Sequence, residues 1–131
     1  MKVLIMIYKT TTTYPIDTVK SQLEEKAKEM GFGILGSYAF KKILKSKGFE
    51  VHRDITVYEL CNPAGAQEAL NIIPEISVYL PCRISIYREN NLTVLATIGV
   101  EDILGATDAS DEFKGFMQQL FQNIRSVMNA W

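Results

Sequence analysis

The segment ISIYRENNLTVLATIGV, from Ile84 to Val100, decides the fold. Two runs of strand-forming residues flank Asn90-Asn91, and asparagine tolerates the backbone conformation that a tight hairpin turn requires. We therefore predict an antiparallel hairpin here. Because antiparallel pairing is present at this point, the whole sheet is expected to be mixed or antiparallel rather than entirely parallel.

The rest of the chain supplies alternating strands and helices around this hairpin. Helices are predicted after each of the first three strands and at the end of the chain. The fold class is therefore α+β, a two-layer arrangement of a mixed or antiparallel sheet with helices packed on one face. Pro81 cannot donate to a strand ladder, so an edge or a bulge is expected there. The predicted strands cover residues 2–12, 32–40, 55–61, 76–87 and 92–100.

The last helix, predicted over residues 108–131, has a wide apolar stripe. Such a stripe is expected to be buried, either against the sheet or against another subunit. Its members are Phe113, Phe116, Met117, Leu120, Phe121, Ile124, Val127, Met128 and Trp131.

Composition limits the classes of protein to consider. The 131 residues are 47% apolar and 22% charged, which is typical of one folded domain spanning 1–131. A net charge of −1 lacks the basic surplus of a duplex-binding protein, so no nucleic-acid partner is expected. Without an apolar run of about 20 residues, no membrane partner is expected either, and we expect a cytoplasmic protein.

One cluster of lysines departs from this even charge balance. Lys41, Lys42, Lys45 and Lys47 surround the short apolar stripe of the predicted second helix. We interpret them as the solvated face of that helix. An anion-binding patch is the alternative, and nearby Glu50 argues against it.

The glycines Gly31-x-Gly33-x-x-Gly36 match the spacing of a dinucleotide-binding loop. That motif requires a strand before it and a helix after it, and the order here is reversed. Gly31 instead suits the left-handed residue that ends a helix, and Gly33 and Gly36 indicate a bulge or a close backbone contact. Residues expected on one face of this second strand are Phe32, Ile34, Tyr38 and Phe40.

Four short motifs occur in a distinctive order: Gly31-Phe32-Gly33, Cys61-Asn62-Pro63, Leu80-Pro81-Cys82 and Ile84-Ser85-Ile86-Tyr87. Together they resemble the family called domain of unknown function 302. The resemblance covers residues 1–100, while 108–131 resembles the family only in being an amphipathic helix. It implies an α+β fold similar to the halves of TATA-binding-protein-like domains, and it implies a homodimer. It assigns no activity and no catalytic residue.

The sequence departs from the family pattern at two places. Arg83 follows Leu80-Pro81-Cys82 where the family usually has a polar uncharged residue. Gly99-Val100-Glu101-Asp102 stands where the family often has Asp-Pro. If these positions line a site, its charge is altered in this chain.

Cys61 is the most informative single residue. It directly precedes the expected start of the Asn62-Pro63 helix, where unpaired N–H groups and the positive end of the helix favour a thiolate. We hypothesise that Cys61 is a reactive or ligand-contacting thiol; the alternative is a small, inert, buried side chain. The candidate ligand-binding or reactive positions are Cys61, Asn62, Cys82 and Arg83.

Cys82 is the second cysteine, and its distance from Cys61 depends on whether strands three and four are neighbours. No disulfide is expected, because CxxC spacing is absent and the chain is expected to be cytoplasmic. A zinc site would need two further ligands, and His52, Asp54 and Glu59 only weakly suggest them. No resident metal is therefore predicted.

No recognisable set of acid, base and nucleophile occurs, so no catalytic residue and no cofactor are predicted and enzymatic activity stays open. Two readings remain. The first is a non-catalytic module that binds an unknown small molecule or a partner, with the sheet and the last helix enclosing an apolar pocket near Cys61 and Cys82. The second is a thiol-based redox, sulfur-transfer or metal-binding protein using Cys61 and Cys82.

Overall fold

The structure, a computed structural model, describes residues 7–100, 104–105 and 108–131. Residues 2–6 of the predicted first strand, and Glu101 and Asp102, lie outside this range. The strands are β1 (Ile7–Thr12), β2 (Gly33–Ala39), β3 (Ile55–Cys61), β4 (Cys82–Glu89) and β5 (Leu92–Ile98). The α-helices are α1 (Ile16–Glu29), α2 (Phe40–Lys45), α3 (Pro63–Ile72) and α4 (Asp111–Met128), and a 3₁₀ helix covers Pro74–Tyr79.

The five strands form one sheet in the order β1-β5-β4-β3-β2, and every neighbouring pair is antiparallel. The predicted hairpin is confirmed: Glu89 pairs with Leu92. Asn90 and Asn91 between them have φ values of 51° and 65°, the left-handed conformation that asparagine tolerates. The α+β class and the antiparallel pairing are therefore as the sequence indicates.

Helices α1 and α4 cover one face of the sheet. In β4, Cys82, Ile84 and Ile86 are buried on this face, while the alternate residues Arg83 and Ser85 are not. The apolar stripe of α4 packs into the same core. The stripe is therefore buried against the chain's own sheet and is not available to another subunit. Its buried members are Phe113, Met117, Leu120, Phe121, Ile124, Val127 and Met128.

The side chains of strand β2 do not all point to the face of the sheet that was predicted. The pairing with β3 shifts between Ile34 and Gly36, which confirms the bulge expected at the glycines. A one-residue bulge reverses which face later side chains point to. Phe32, before the bulge, is buried, whereas Tyr38, after it, is 41% exposed, so the expectation of one shared face was wrong. Phe40, 37% exposed, belongs to α2 and not to the strand.

The segment before β4 also differs from the prediction. Residues 76–87 were expected to be one strand, but Pro74–Tyr79 form a 3₁₀ helix and β4 begins at Cys82. Proline fits the first turn of a helix and lacks the N–H that a ladder needs. Pro74 and Pro81 therefore confine the strand to the residues after them. The edge or bulge expected at Pro81 was wrong, because Pro81 precedes β4, which is the central strand of the sheet. The Leu80–Pro81 peptide bond is cis.

Helix α1 ends at a glycine, as predicted. Gly31 has a φ of 85°. Its N–H donates to Lys28 O at 3.0 Å, and the N–H of Phe32 donates to Ala27 O at 2.9 Å. This is the Schellman arrangement, which satisfies the last carbonyls of a helix. It also turns the chain so that Phe32 enters the core.

Within the described residues, no helix combines the length and apolar character needed to cross a membrane.

We expect Gly31→Ala to destabilise the fold by about 1–2 kcal/mol, because alanine disfavours positive φ. A Cβ at Gly31 would also lie 3.2 Å from Asn62 Nδ2. Gly33→Ala is the matched control, since a Cβ there meets nothing within 4 Å. Urea unfolding of the two variants measures the difference, and equal stability would contradict the account of this turn.

Candidate functional site

A cavity of about 270 Å³ lies where the end of β3, the start of β4 and helix α3 meet. We call it the cysteine cavity. Three stretches of sequence that are far apart in the chain contribute to its wall, and each belongs to one of the motifs singled out above. The motif residues that line it are Phe32, Cys61, Asn62, Leu80, Pro81 and Cys82.

The two cysteines are brought together because β3 and β4 are neighbours. Cys82 pairs with Leu60, so Cys61 is one residue along from the position directly opposite Cys82. Both thiols are free. Cys82 is buried and Cys61 is half-buried. The sequence could not determine this proximity, because it depends on strand order.

The buried position of Cys82 controls its ionisation. Burial, followed by the electrostatic interaction with neighbouring Cys61, raises the pKa of the Cys82 thiol to about 12. A thiol with this pKa is neutral at physiological pH. Cys82 therefore contributes an uncharged S–H group to the wall and not a nucleophile.

Asn62 caps helix α3. Its Oδ1 accepts a 2.8 Å hydrogen bond from the N–H of Gly65, and its main-chain oxygen accepts one from Ala66 at 2.8 Å. Pro63 has no N–H to offer. The N-terminus of α3 is thus largely satisfied by Asn62 itself. The hypothesis that Cys61 is a reactive or ligand-contacting thiol stays a prediction.

Gly65 allows α3 to approach α4 closely. A Cβ at this position would lie 3.2 Å from Leu120 Cδ1 and 3.3 Å from Asn62 Oδ1. Because both atoms belong to the cavity wall, the glycine sets the separation of the elements around the cavity. The helix pattern in the sequence did not identify this close approach.

An apolar pocket near Cys61 and Cys82, walled by the sheet and the last helix, was expected from the sequence, but the other lining elements were not. The remaining wall comes from β2, α3, the 3₁₀ helix and α4, and it is mostly apolar. The only available signal was the small size of Gly65 and Ala66 on a helix face. The additional lining residues include Leu35, Gly65, Ala66, Leu70, Ser77 and Leu120.

Arg83, the fourth predicted site residue, does not line the cysteine cavity. It lies on the opposite face of the sheet and contacts Glu59, with 3.5 Å between Arg83 Nη2 and Glu59 Oε2. Tyr38 donates a 2.7 Å hydrogen bond to Glu59 Oε1. This hydrogen bond raises the pKa of Tyr38. Arg83 therefore belongs to a surface cluster with Glu59 and Tyr38.

The face of the sheet that α1 and α4 leave uncovered has a wide depression of about 470 Å³. We call this surface the open sheet face; its residues include Ile7, Val57, Val78, Arg83, Ser85 and Ile98. It is larger but shallower than the cysteine cavity. Pro81 lines both. We favour the cysteine cavity as the ligand site because it is more enclosed and the motif residues converge on it.

The other candidate ligands of the sequence are dispersed. Asp54 pairs with Lys20 at 3.0 Å, and Glu59 is engaged as described. His52 lies beside Lys41 and Glu50 in a small surface depression. In the part of the chain that the structure describes, no group of three potential metal ligands forms.

Comparison with known proteins agrees with the family resemblance of the sequence motifs. The family model described as domain of unknown function DUF302 matches residues 8–131, and this range includes α4. A crystal structure of an uncharacterised conserved DUF302 protein from Bacillus stearothermophilus superimposes with a TM-score of 0.87 at 22% identity. The match covers 96% of this chain and 98% of that one. A search of curated proteins finds no match.

We expect iodoacetamide at pH 8 to alkylate Cys61 before Cys82 in the native protein. Cys82 is only 6% exposed, and its pKa of about 12 leaves about one thiol in 10,000 as thiolate at that pH. Peptide mass mapping after brief labelling measures the order. Labelling in denaturant, where both cysteines react, is the control; faster native labelling of Cys82 would contradict the prediction.

Proposed function

Because this chain belongs to the domain of unknown function DUF302 family, whose description names no activity, we propose from the site itself that it is a small-ligand-binding module. The cysteine cavity is the proposed site. The observation that carries the proposal is the convergence of Phe32, the Cys61-Asn62 pair and Leu80-Pro81-Cys82 on one partly open, mostly apolar cavity. If these residues served only to pack the core, we would expect side chains to fill this space, because protein interiors are close-packed.

The composition of the wall supports binding without catalysis. Small-molecule sites are mostly apolar, with a few polar groups that orient the ligand. Here the polar groups are Asn62, Ser77 and the two cysteines. None of the described lining residues is a carboxylate, histidine, lysine or arginine, which are the usual acid–base groups.

Thiol chemistry is the second candidate. Its supporting observation is that Cys61 and Cys82 lie on neighbouring strands and share one cavity. The raised pKa of Cys82 argues against this residue as the nucleophile, because a protonated thiol is a poor nucleophile. The two candidates differ in their response to Cys61→Ser, which leaves apolar binding nearly intact and abolishes thiol chemistry.

Self-association into a homodimer is part of the proposal, with the open sheet face as the contact. Its apolar residues are exposed: Ile7 by 55% and Val78 by 79%. Five strands about 4.8 Å apart and about 20 Å long give roughly 500 Å² per copy, and two copies reach the lower limit of specific interfaces, about 1,000 Å².

Charge on the open sheet face is also compatible with a second copy. Arg83 and Glu59 are adjacent, and a two-fold axis near them would place each cation against the partner's carboxylate. Each copy therefore presents both a cation and a carboxylate to the other copy. A contact of this kind leaves the cysteine cavity accessible from the α3 side.

Filling the cavity tests the proposed site. We expect ethylbenzene to shift the amide NMR signals of residues 60–62, 64–66, 80 and 82 in the wild-type protein. Ala66→Leu adds side-chain volume inside the cavity and should weaken this binding about tenfold. Ala64→Leu is the matched control, because Ala64 is an exposed residue of the same helix outside the cavity.

Two outcomes would contradict the proposed site. One is the absence of any ethylbenzene binding by the folded wild-type protein. The other is binding that Ala64→Leu and Ala66→Leu weaken equally, which would place the probe elsewhere.

We expect sedimentation velocity to show a dimer that Val78→Arg weakens at least about thirtyfold, because a buried unpaired charge is costly. Phe49→Arg is the matched control: Phe49 is 68% exposed and does not line the open sheet face. A wild-type protein that stays monomeric at every concentration would exclude the dimer. Equal weakening by both variants would exclude this face.

A further inference from the structure

We infer that the ligand of the cysteine cavity is an uncharged, mainly apolar small molecule with one hydrogen-bond acceptor, which binds the side-chain amide of Asn62. The inference rests on the proposed ligand-binding function and specifies the chemistry of the same site. Three properties of the wall lead to it: its charge, its donors and the position of its apolar rim.

The absence of charge on the described wall disfavours an ionic ligand. Among the described lining residues none carries a formal charge, and the Cys82 thiol is neutral. A carboxylate or ammonium group entering this cavity would lose its hydration without gaining a counter-charge, which is costly. An uncharged ligand avoids that cost.

The donor is the Nδ2 group of Asn62. Asn62 Oδ1 is committed to the Gly65 N–H, and this bond determines the orientation of the amide, because a backbone N–H can only donate. In the part of the chain that the structure describes, Nδ2 has no hydrogen-bond partner of its own. Its orientation is therefore fixed, with Nδ2 on the side of Gly31, where a Cβ would lie 3.2 Å from it. Because Asn62 lines the cavity, we assign to Nδ2 the hydrogen bond to a ligand acceptor such as a carbonyl oxygen.

Ser77 is the other hydroxyl or amide group on the wall. It is exposed, and its hydroxyl is free to rotate. Asn62 is half-buried and held by its cap bond, so it loses less conformational entropy when a ligand binds. We therefore assign the directing hydrogen bond to Asn62 and use Ser77 as the control.

The apolar body of the ligand lies towards Leu35 and Leu70. These leucines line the cavity yet are 64% and 39% exposed, so a ligand that covers them removes apolar surface from water. The volume of about 270 Å³ is slightly below the usual range for drug-sized molecules, which begins at about 300 Å³. A compact ligand is expected.

Three probes of nearly equal shape test the chemistry: acetophenone, which has a carbonyl acceptor; ethylbenzene, which has none; and benzoate, which is charged. We expect NMR titration of the wild-type protein to give about fivefold tighter binding of acetophenone than of ethylbenzene, the value of one neutral hydrogen bond. Benzoate is expected not to bind at the cavity.

Asn62→Asp then isolates the donor. Aspartate is as good a helix cap as asparagine, so the fold is expected to be retained, but the N–H₂ donor is lost. We expect the preference for acetophenone over ethylbenzene to disappear in this variant and to persist in Ser77→Ala. If Asn62→Asp does not fold, the three probes on the wild-type protein still test the acceptor and the charge of the ligand, and Ser77→Ala still tests the alternative donor.

The outcomes separate this inference from the proposed function. Equal binding of acetophenone and ethylbenzene, tighter binding of benzoate, or loss of the preference in Ser77→Ala alone would overturn the assignment and leave the cavity as a ligand site. Failure of all three probes to bind would overturn both.

Discussion

The arrangement around the cysteine cavity depends on one crowded contact, in which Asn62 lies between two glycines. Cβ atoms at Gly31 and Gly65 would lie 3.2 Å from Asn62 Nδ2 and 3.3 Å from Asn62 Oδ1. The end of α1, the end of β3 and the start of α3 therefore meet so closely that a Cβ at either glycine would require the Asn62 side chain to shift. The same side chain caps α3, so helix initiation and the docking of three elements share one amide.

The sequence predicted the elements well where the signals were local. The hairpin at Asn90-Asn91, the helix end at Gly31 and the cap at Asn62 each depend on residues that are adjacent in the chain. The prediction failed where a local pattern was broken by a single residue. The bulge in β2 reversed the facing of Tyr38, and a period-two pattern cannot show whether residues 76–79 form a strand or a 3₁₀ turn.

The site was only partly visible in the sequence for a related reason. Cys61, Asn62 and Cys82 were identified as candidates, but their proximity follows from the order of β3 and β4, which is a long-range property. Arg83 is next to Cys82 in the chain and yet faces the other side of the sheet, because side chains alternate along a strand. Leu35 and Leu120 contribute to the apolar wall but belong to no sequence motif. Leucines of this kind also occur in an ordinary core, so the sequence did not identify them as lining residues.

Pro81 has a further consequence, because it contributes to both the cysteine cavity and the open sheet face. A single residue thus forms a partition between the two proposed contact regions. If a ligand in the cysteine cavity or a partner on the open sheet face displaces the pyrrolidine ring of Pro81, the shape of the other region changes. Occupancy of the two regions would then be thermodynamically linked, with a coupling free energy that is reciprocal. The apparent affinity for a small molecule would accordingly vary with protein concentration, and assembly would vary with the supply of that molecule.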